Sequence, residues 1–205
     1  MINKLLIILV ILFQFLFINK LYSTEIQFNA NEIEVLDEGN ETIAKNGTAY
    51  IKKDKISIKG TIIRYIKNKS LLIINEGEIK KNDDNLEIAS EIIEYSVDQS
   101  ELYFKDKVRI SDSINNLNMS SDEIIYNIDK QKIESSGKSK IKDNVGNVYR
   151  VSQFEYNINS KVIKLNNLEV LDSSNNLFKI EMAFLDLTKK ELIAKDVGLN
   201  FKISD

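Results

Sequence analysis

Two adjacent carboxylate pairs, Asp83/Asp84 and Asp122/Glu123, are the residues of this chain best suited to acid–base work or to holding a divalent cation. Both sit in or beside clusters rich in Asn, Asp, Ser and Lys. Neighbours on a strand point to opposite faces, so the pairs read as solvated turn residues. The 205-residue chain has no His and no Cys. That removes the Ser–His–Asp relay, imidazole bases, thiol nucleophiles, disulfides and His- or Cys-ligated zinc. No Gly-rich phosphate loop, G-x-S-x-G elbow or EF-hand spacing is present. The chain is expected not to be an enzyme and to carry no cofactor and no metal. Its 28 Lys/Arg against 31 Asp/Glu leave a net charge of −3. So near a balance predicts no nucleic-acid partner, which would call for a basic stripe.

A different feature is a column of tyrosines, Tyr65, Tyr95, Tyr126 and Tyr156, each two residues after a large apolar residue. The column is part of an internal repeat of 30–31 residues. Its apolar pairs are Ile33/Val35, Ile63/Tyr65, Ile93/Tyr95, Ile124/Tyr126, Phe154/Tyr156 and Leu185/Leu187. Five residues before each pair stands Phe28, Ile58, Ile88, Met119, Tyr149 or Ile180. Three before, the first four repeats place Ala30, Gly60, Ser90 and Ser121. The tyrosines fit a ladder with buried rings and wet hydroxyls, or the lip of an apolar trough where the ring meets acyl chain and water.

Within a repeat the apolar period is two, the signal of half-buried strands, and no window holds a helical stripe. Parity slips by one between the small residue and the Ile-x-Tyr pair. An odd slip turns side chains to the other face unless the strand bulges or bends there, so a kink is predicted at positions such as Gly60 and Ser90. With no Pro and only seven Gly, the turns fall to clusters such as Lys52–Lys55, Lys67–Ser70, Lys80–Asn85, Asp112–Asn116, Asn127–Gln131, Asp143–Asn147 and Asp172–Asn176. These give two or more strands per repeat in one continuous, elongated β domain.

Residues 1–23 differ from the rest. Lys4 precedes the apolar run Leu5–Ile18, and a short polar stretch closes on Ser23. This is the layout of a secretory signal peptide, expected to be a helix, with a retained N-terminal anchor as the alternative. Residues 24–205 are then the folded domain, working outside the cytoplasm.

The phrase apolar-x-apolar-x-small-x-x-Ile-x-Tyr is clearest at Ile56–Tyr65, Leu86–Tyr95 and Leu117–Tyr126. It resembles the OstA-like domain of lipopolysaccharide-transport proteins, and does so over nearly the whole of residues 24–205. The family's phrase after the following turn survives only loosely, at Ile74–Ile79 and Ser136–Ile141. The resemblance implies an all-β fold, an elongated antiparallel β-jellyroll or taco built from the 30-residue repeats. It implies periplasmic transport or assembly of lipopolysaccharide, with the acyl chains held in an apolar groove between two sheets. The groove candidates are Ile33, Val35, Ile58, Ile63, Tyr65, Ile88, Ile93, Tyr95, Met119, Ile124, Tyr126, Phe154 and Tyr156, and Arg64 would stand at a lip beside Tyr65. Expected partners are lipopolysaccharide and other transport proteins of the family, stacked by edge strands, with a head-to-tail homo-oligomer as a further form.

Three kinds of family member fit: the soluble periplasmic bridge protein, the N-terminal periplasmic domain of the outer-membrane assembly protein, and the inner-membrane-anchored component. The second would place the chain at the outer membrane. Outside this resemblance, a structural β-solenoid with a closed core and no lipid ligand predicts the same repeat.

Overall fold

The computed structural model describes residues 26–81, 85–143, 146–171 and 177–200. The predicted signal helix, the pair Asp83/Asp84 and the turn at 172–176 lie outside the described residues. The described residues form a fourteen-stranded antiparallel sheet, as the period-two pattern predicts. Its strands are β1 (Ile26–Leu36), β2 (Glu41–Ile51), β3 (Ile56–Ile66), β4 (Leu71–Lys81), β5 (Leu86–Ser96), β6 (Glu101–Asp112) and β7 (Leu117–Asn127). After them come β8 (Lys132–Ser135), β9 (Ser139–Lys142), β10 (Val148–Val151), β11 (Gln153–Asn157), β12 (Val162–Leu171), β13 (Leu177–Asp186) and β14 (Glu191–Asn200). Each long strand pairs with the next, so one repeat is two strands and two turns.

Most turns end on a residue with positive φ: Lys55, Ser70, Ser100, Asn116, Gln131, Lys161 and Lys190, at +47° to +58°. Non-glycine residues adopt this conformation at a cost, and here it has a return. Ser70, Ser100, Gln131 and Lys161 each offer their carbonyl oxygen to the N–H of a residue in the next turn along the edge: Val97, Ile128, Ile158 and Leu187, at 2.9–3.0 Å. The turns thereby form a hydrogen-bonded ladder of their own.

The parity slip is a fold line. Ladder pairing skips Asn46, Thr61 and Glu76, and the register shifts between Ala89 and Ile92 and between Lys105 and Val108. Asn46, Glu76, Asp106, Lys107 and Asn167 have positive φ in mid-strand, where the extra residue of a bulge needs it. Ser90 and Ser121 support the bend from their own side chains, donating to the carbonyl oxygens of Ile92 (2.7 Å) and Glu123 (3.0 Å). Gly60 and Ser90, the predicted kink positions, both lie on this line.

The line divides the sheet into two halves. In half A the inward row Ala49–Ile58–Ile79–Ile88–Ile110–Met119 runs across consecutive strands. In half B the corresponding row is Ala44–Ile63–Ile74–Ile93–Phe104–Ile124. All twelve are buried in one apolar cluster. Burying an Ile or Phe side chain stabilises by about 1.5–3 kcal/mol, so the two rows hold the halves together.

The later repeats depart from this plan. One long strand is broken into β8 and β9 around 136–138, and the next into β10 and β11 at Ser152. β7 pairs with both β8 and β9, and β12 with both β10 and β11.

Candidate functional site: an enclosed apolar interior and its seam

Most of the groove candidates come together. Ile58, Ile63, Ile88, Ile93, Tyr95, Met119, Ile124, Tyr126, Phe154 and Tyr156 are all buried in the single interior cluster. Tyr65 packs at its edge, its ring centroid 6.4 Å from that of Phe28 in half A. Ile33 and Val35 are different. They lie on β1, terminal among the described strands, and are 47% and 63% exposed, because no further described strand covers the inward row of half B there. At the other end Leu192 continues the tyrosine row on β14 and is 37% exposed.

The tyrosines are the second inward row of half B. Cross-strand pairing gives Tyr65–Leu72–Tyr95–Leu102–Tyr126–Ile133–Tyr156–Ile163. Their rings are core, and their hydroxyls point to the place where half B meets the turns of half A. There they make a polar seam. The Tyr95 hydroxyl donates to Asp54 in the β2–β3 turn. Ser100 Oγ donates to the other Asp54 oxygen at 3.1 Å, and Lys53 Nζ donates to Ser100 Oγ at 2.9 Å. One repeat on, Gln131 Oε1 accepts from Lys81 of half A and from the Tyr126 hydroxyl. One further, Asp112 Oδ2 accepts from the Tyr156 hydroxyl at 2.7 Å and from Asn115 Nδ2 at 2.7 Å. A buried hydroxyl needs a partner: Tyr95 and Tyr156 find theirs on half A, and Tyr126 meets Gln131 of its own half, which half A reaches through Lys81.

This environment holds the Tyr95 phenol well above its ordinary range, first through burial and then through the Asp54 carboxylate. Tyr149 is pushed up to about 12 by burial and by its hydrogen bond to Asp143. Neither tyrosine is placed to supply a phenolate at neutral pH. Sequence reasoning missed the seam acids Asp54 and Asp112. They are 41 and 44 residues from their tyrosines, a spacing unlike the repeat period. The one available signal was chemical: a column of tyrosines bound for a core requires acceptors.

The remaining candidates fall outside the interior. Arg64 pairs with Glu41 on the outer face (2.5 Å). Asp122 and Glu123 are both exposed, and Glu123 accepts from Ser136 Oγ at 3.0 Å. Among the described residues, no three acidic side chains converge on a point where a metal ion would sit. No described helix is long and apolar enough to cross a membrane.

No protein-family model matches the chain, and no curated protein matches it. Among solved structures, the chain is similar to LptH from Pseudomonas aeruginosa, described as the LptA-homologous periplasmic component of the conserved lipopolysaccharide transport device. The match has 9% identity and a TM-score of 0.28, and covers 70% of this chain and 82% of that one.

Proposed function

We propose that this chain is a periplasmic carrier of lipopolysaccharide. It takes the acyl chains between halves A and B and passes them along the sheet toward the outer membrane. The observation that carries the reading is the continuous apolar interior, which ends in the uncovered residues Ile33 and Val35. The repeated phrase ending in Ile-x-Tyr supports it.

Keeping an acyl chain out of water is worth about 0.8 kcal/mol per CH₂, and a row of Ile, Leu and Phe supplies an equivalent surroundings. Entry requires the halves to part at the seam. Each rung there is one to four side-chain hydrogen bonds, each worth about 0.5–3 kcal/mol net, whereas neighbouring strands are joined by a continuous backbone ladder, so the seam is the part that opens at least cost. The exposed inward positions at both ends suit stacking with a related domain or a second copy, whose edge strand would extend the sheet. Within the family, the soluble LptA-like bridge and the N-terminal LptD-like domain are the preferred placements. Residues 1–23 act as the export signal, or as a retained anchor if the chain is LptC-like.

A second reading is a structural β-solenoid that binds protein alone, favoured by the full burial of Ile58, Ile63, Ile88 and Ile93. Photo-crosslinkers at Ile93, Tyr95 and Phe154 separate the two. Adducts with lipopolysaccharide in cells support transport. Protein adducts at the end strands, with no lipid adduct at any interior position, support the solenoid.

A further inference from the structure

The outer faces of the sheet are laced by cross-strand ion pairs, among them Lys45–Glu32, Lys80–Glu87, Lys105–Glu94, Lys107–Glu91 and Lys179–Glu169. One region breaks this rule. Arg109, Ser120, Lys140 and Arg150 are successive partners across β6, β7, β9 and β10. Among the described residues, neither Arg109, Lys140 and Arg150 nor the nearby Lys138 makes an ion pair or a side-chain hydrogen bond. Lys140 and Arg150 stand directly opposite each other, an arrangement of like charges that destabilises a sheet.

These side chains wall an outward depression of about 800 Å³ beside the broken strands. Ser120, Ser121, Ser139 and Ser152 also line it. Three of these hydroxyls already donate elsewhere, Ser139 to Ser121 Oγ (3.0 Å), Ser121 to the Glu123 carbonyl oxygen (3.0 Å) and Ser152 to that of Asn166 (3.1 Å), which leaves Ser120. The lining holds five cations, Lys107, Arg109, Lys138, Lys140 and Arg150, against two carboxylates, Asp122 and Glu169. Glu169 is turned to Lys179 (3.2 Å) and Lys107 to Glu91 (2.5 Å), which leaves four cations facing one uncommitted acid, Asp122. The whole chain carries −3, so this is a local reversal of sign.

We propose that this trough is an anion site for a phosphate-bearing ligand, either free phosphate or a phosphorylated headgroup. Guanidinium forks suit the oxygens of a phosphate, ammonium groups add charge, and the Ser120 hydroxyl, between Arg109 and Lys140, can donate to a remaining oxygen. An anion between Lys140 and Arg150 would remove the repulsion that the bare sheet carries. The site lies on the outer face and does not depend on what the interior holds.

The test uses residues 24–205 with pyrophosphate, followed by amide chemical shifts, and with phosphatidylglycerol against phosphatidylcholine vesicles, followed by co-sedimentation. Saturable pyrophosphate binding that perturbs the trough amides is expected. It should weaken at least tenfold in the Arg109→Gln/Lys140→Gln/Arg150→Gln variant. Binding to phosphatidylglycerol vesicles alone, lost in the same variant, assigns the phosphate to a lipid headgroup. The variant Lys59→Gln/Lys67→Gln/Lys69→Gln removes the same charge elsewhere and should bind normally. All substitutions are at exposed positions, and circular dichroism checks their folding. The proposal is overturned if neither probe binds, if the trough variant binds as the wild type does, or if both variants weaken equally.

Discussion

The Tyr95 hydroxyl donates a hydrogen bond to Asp54 across 41 residues of chain, fastening the end of strand β5 to the turn between β2 and β3. One bond thereby joins the two halves of a folded sheet. It also joins successive repeats, since the half-A turn of one meets the half-B strand of a later one. Gln131 and Asp112 repeat the arrangement further along.

Removing that hydroxyl is predicted to loosen the seam. Tyr95→Phe keeps the ring in the core and leaves Asp54 accepting from Ser100 Oγ alone. The expected loss is about 1.5–3 kcal/mol, the range for a hydrogen bond to a charged group. Urea unfolding should show a lower midpoint at unchanged slope. An unchanged midpoint would mean that the seam contributes nothing to closure. If the carrier reading holds, lipid crosslinking from Phe154 should rise in this variant.

Alkaline pH should weaken the same fold. Tyr95 and Tyr149 both titrate above their ordinary value of 10.0 in the native state. A phenol with a raised native pKa binds its proton more tightly when folded. Its contribution is therefore complete below pH 10, declines as pH rises past the unfolded value, and for Tyr149 is gone beyond about 12. Thermal melts between pH 8 and 12 should fall from pH 10 upward, with phenolate absorbance appearing on unfolding. A melting temperature that is flat across pH 10–12 would contradict this.

The glycines of the fold line, Gly47, Gly60 and Gly77, leave no room for a side chain. A Cβ on Gly47 would stand 2.4 Å from the Ala30 Cβ and 2.5 Å from the Asn29 carbonyl oxygen. Gly47→Ala should cost about 1–3 kcal/mol, as overpacking against backbone does. Gly137 has nothing within 4 Å of its would-be Cβ, and Gly137→Ala should be close to neutral. Equal effects of the two changes in denaturant unfolding would show that the approach at the bend is not tight.

The uncovered end of the interior should drive association. Ile33 and Val35 are inward residues of β1 that no described neighbour covers. Light scattering across concentration is expected to show growing assemblies of residues 24–205. Ile33→Lys/Val35→Lys should hold the chain monomeric at every concentration. Assembly that persists in this variant would place the contact elsewhere.

The strand pattern was legible because side chains in a sheet alternate with a period of two, which Leu86, Ile88, Ile93 and Tyr95 display directly. The bend was legible for the same reason: the odd step from Gly60 to Ile63 has no straight-strand solution. Turns could be placed without Pro because Asn, Asp, Ser and Lys cluster where the apolar alternation stops. The division of one strand into β8 and β9 was not visible, since Ile133 and Ile141 each satisfy the local alternation.

The amino-acid sequence by itself determined that this chain is a repeated antiparallel sheet, with one apolar face and a bend in each strand. Alternation, parity and turn chemistry are local properties, written within one 30-residue unit. Tertiary structure alone decided that the tyrosines are core residues closing a seam, and that Arg109, Lys140 and Arg150 gather on one outer face. Both depend on which strands become neighbours and which edges meet. The seam joins residues 41 to 50 apart, across the bend, where no local pattern constrains the pairing.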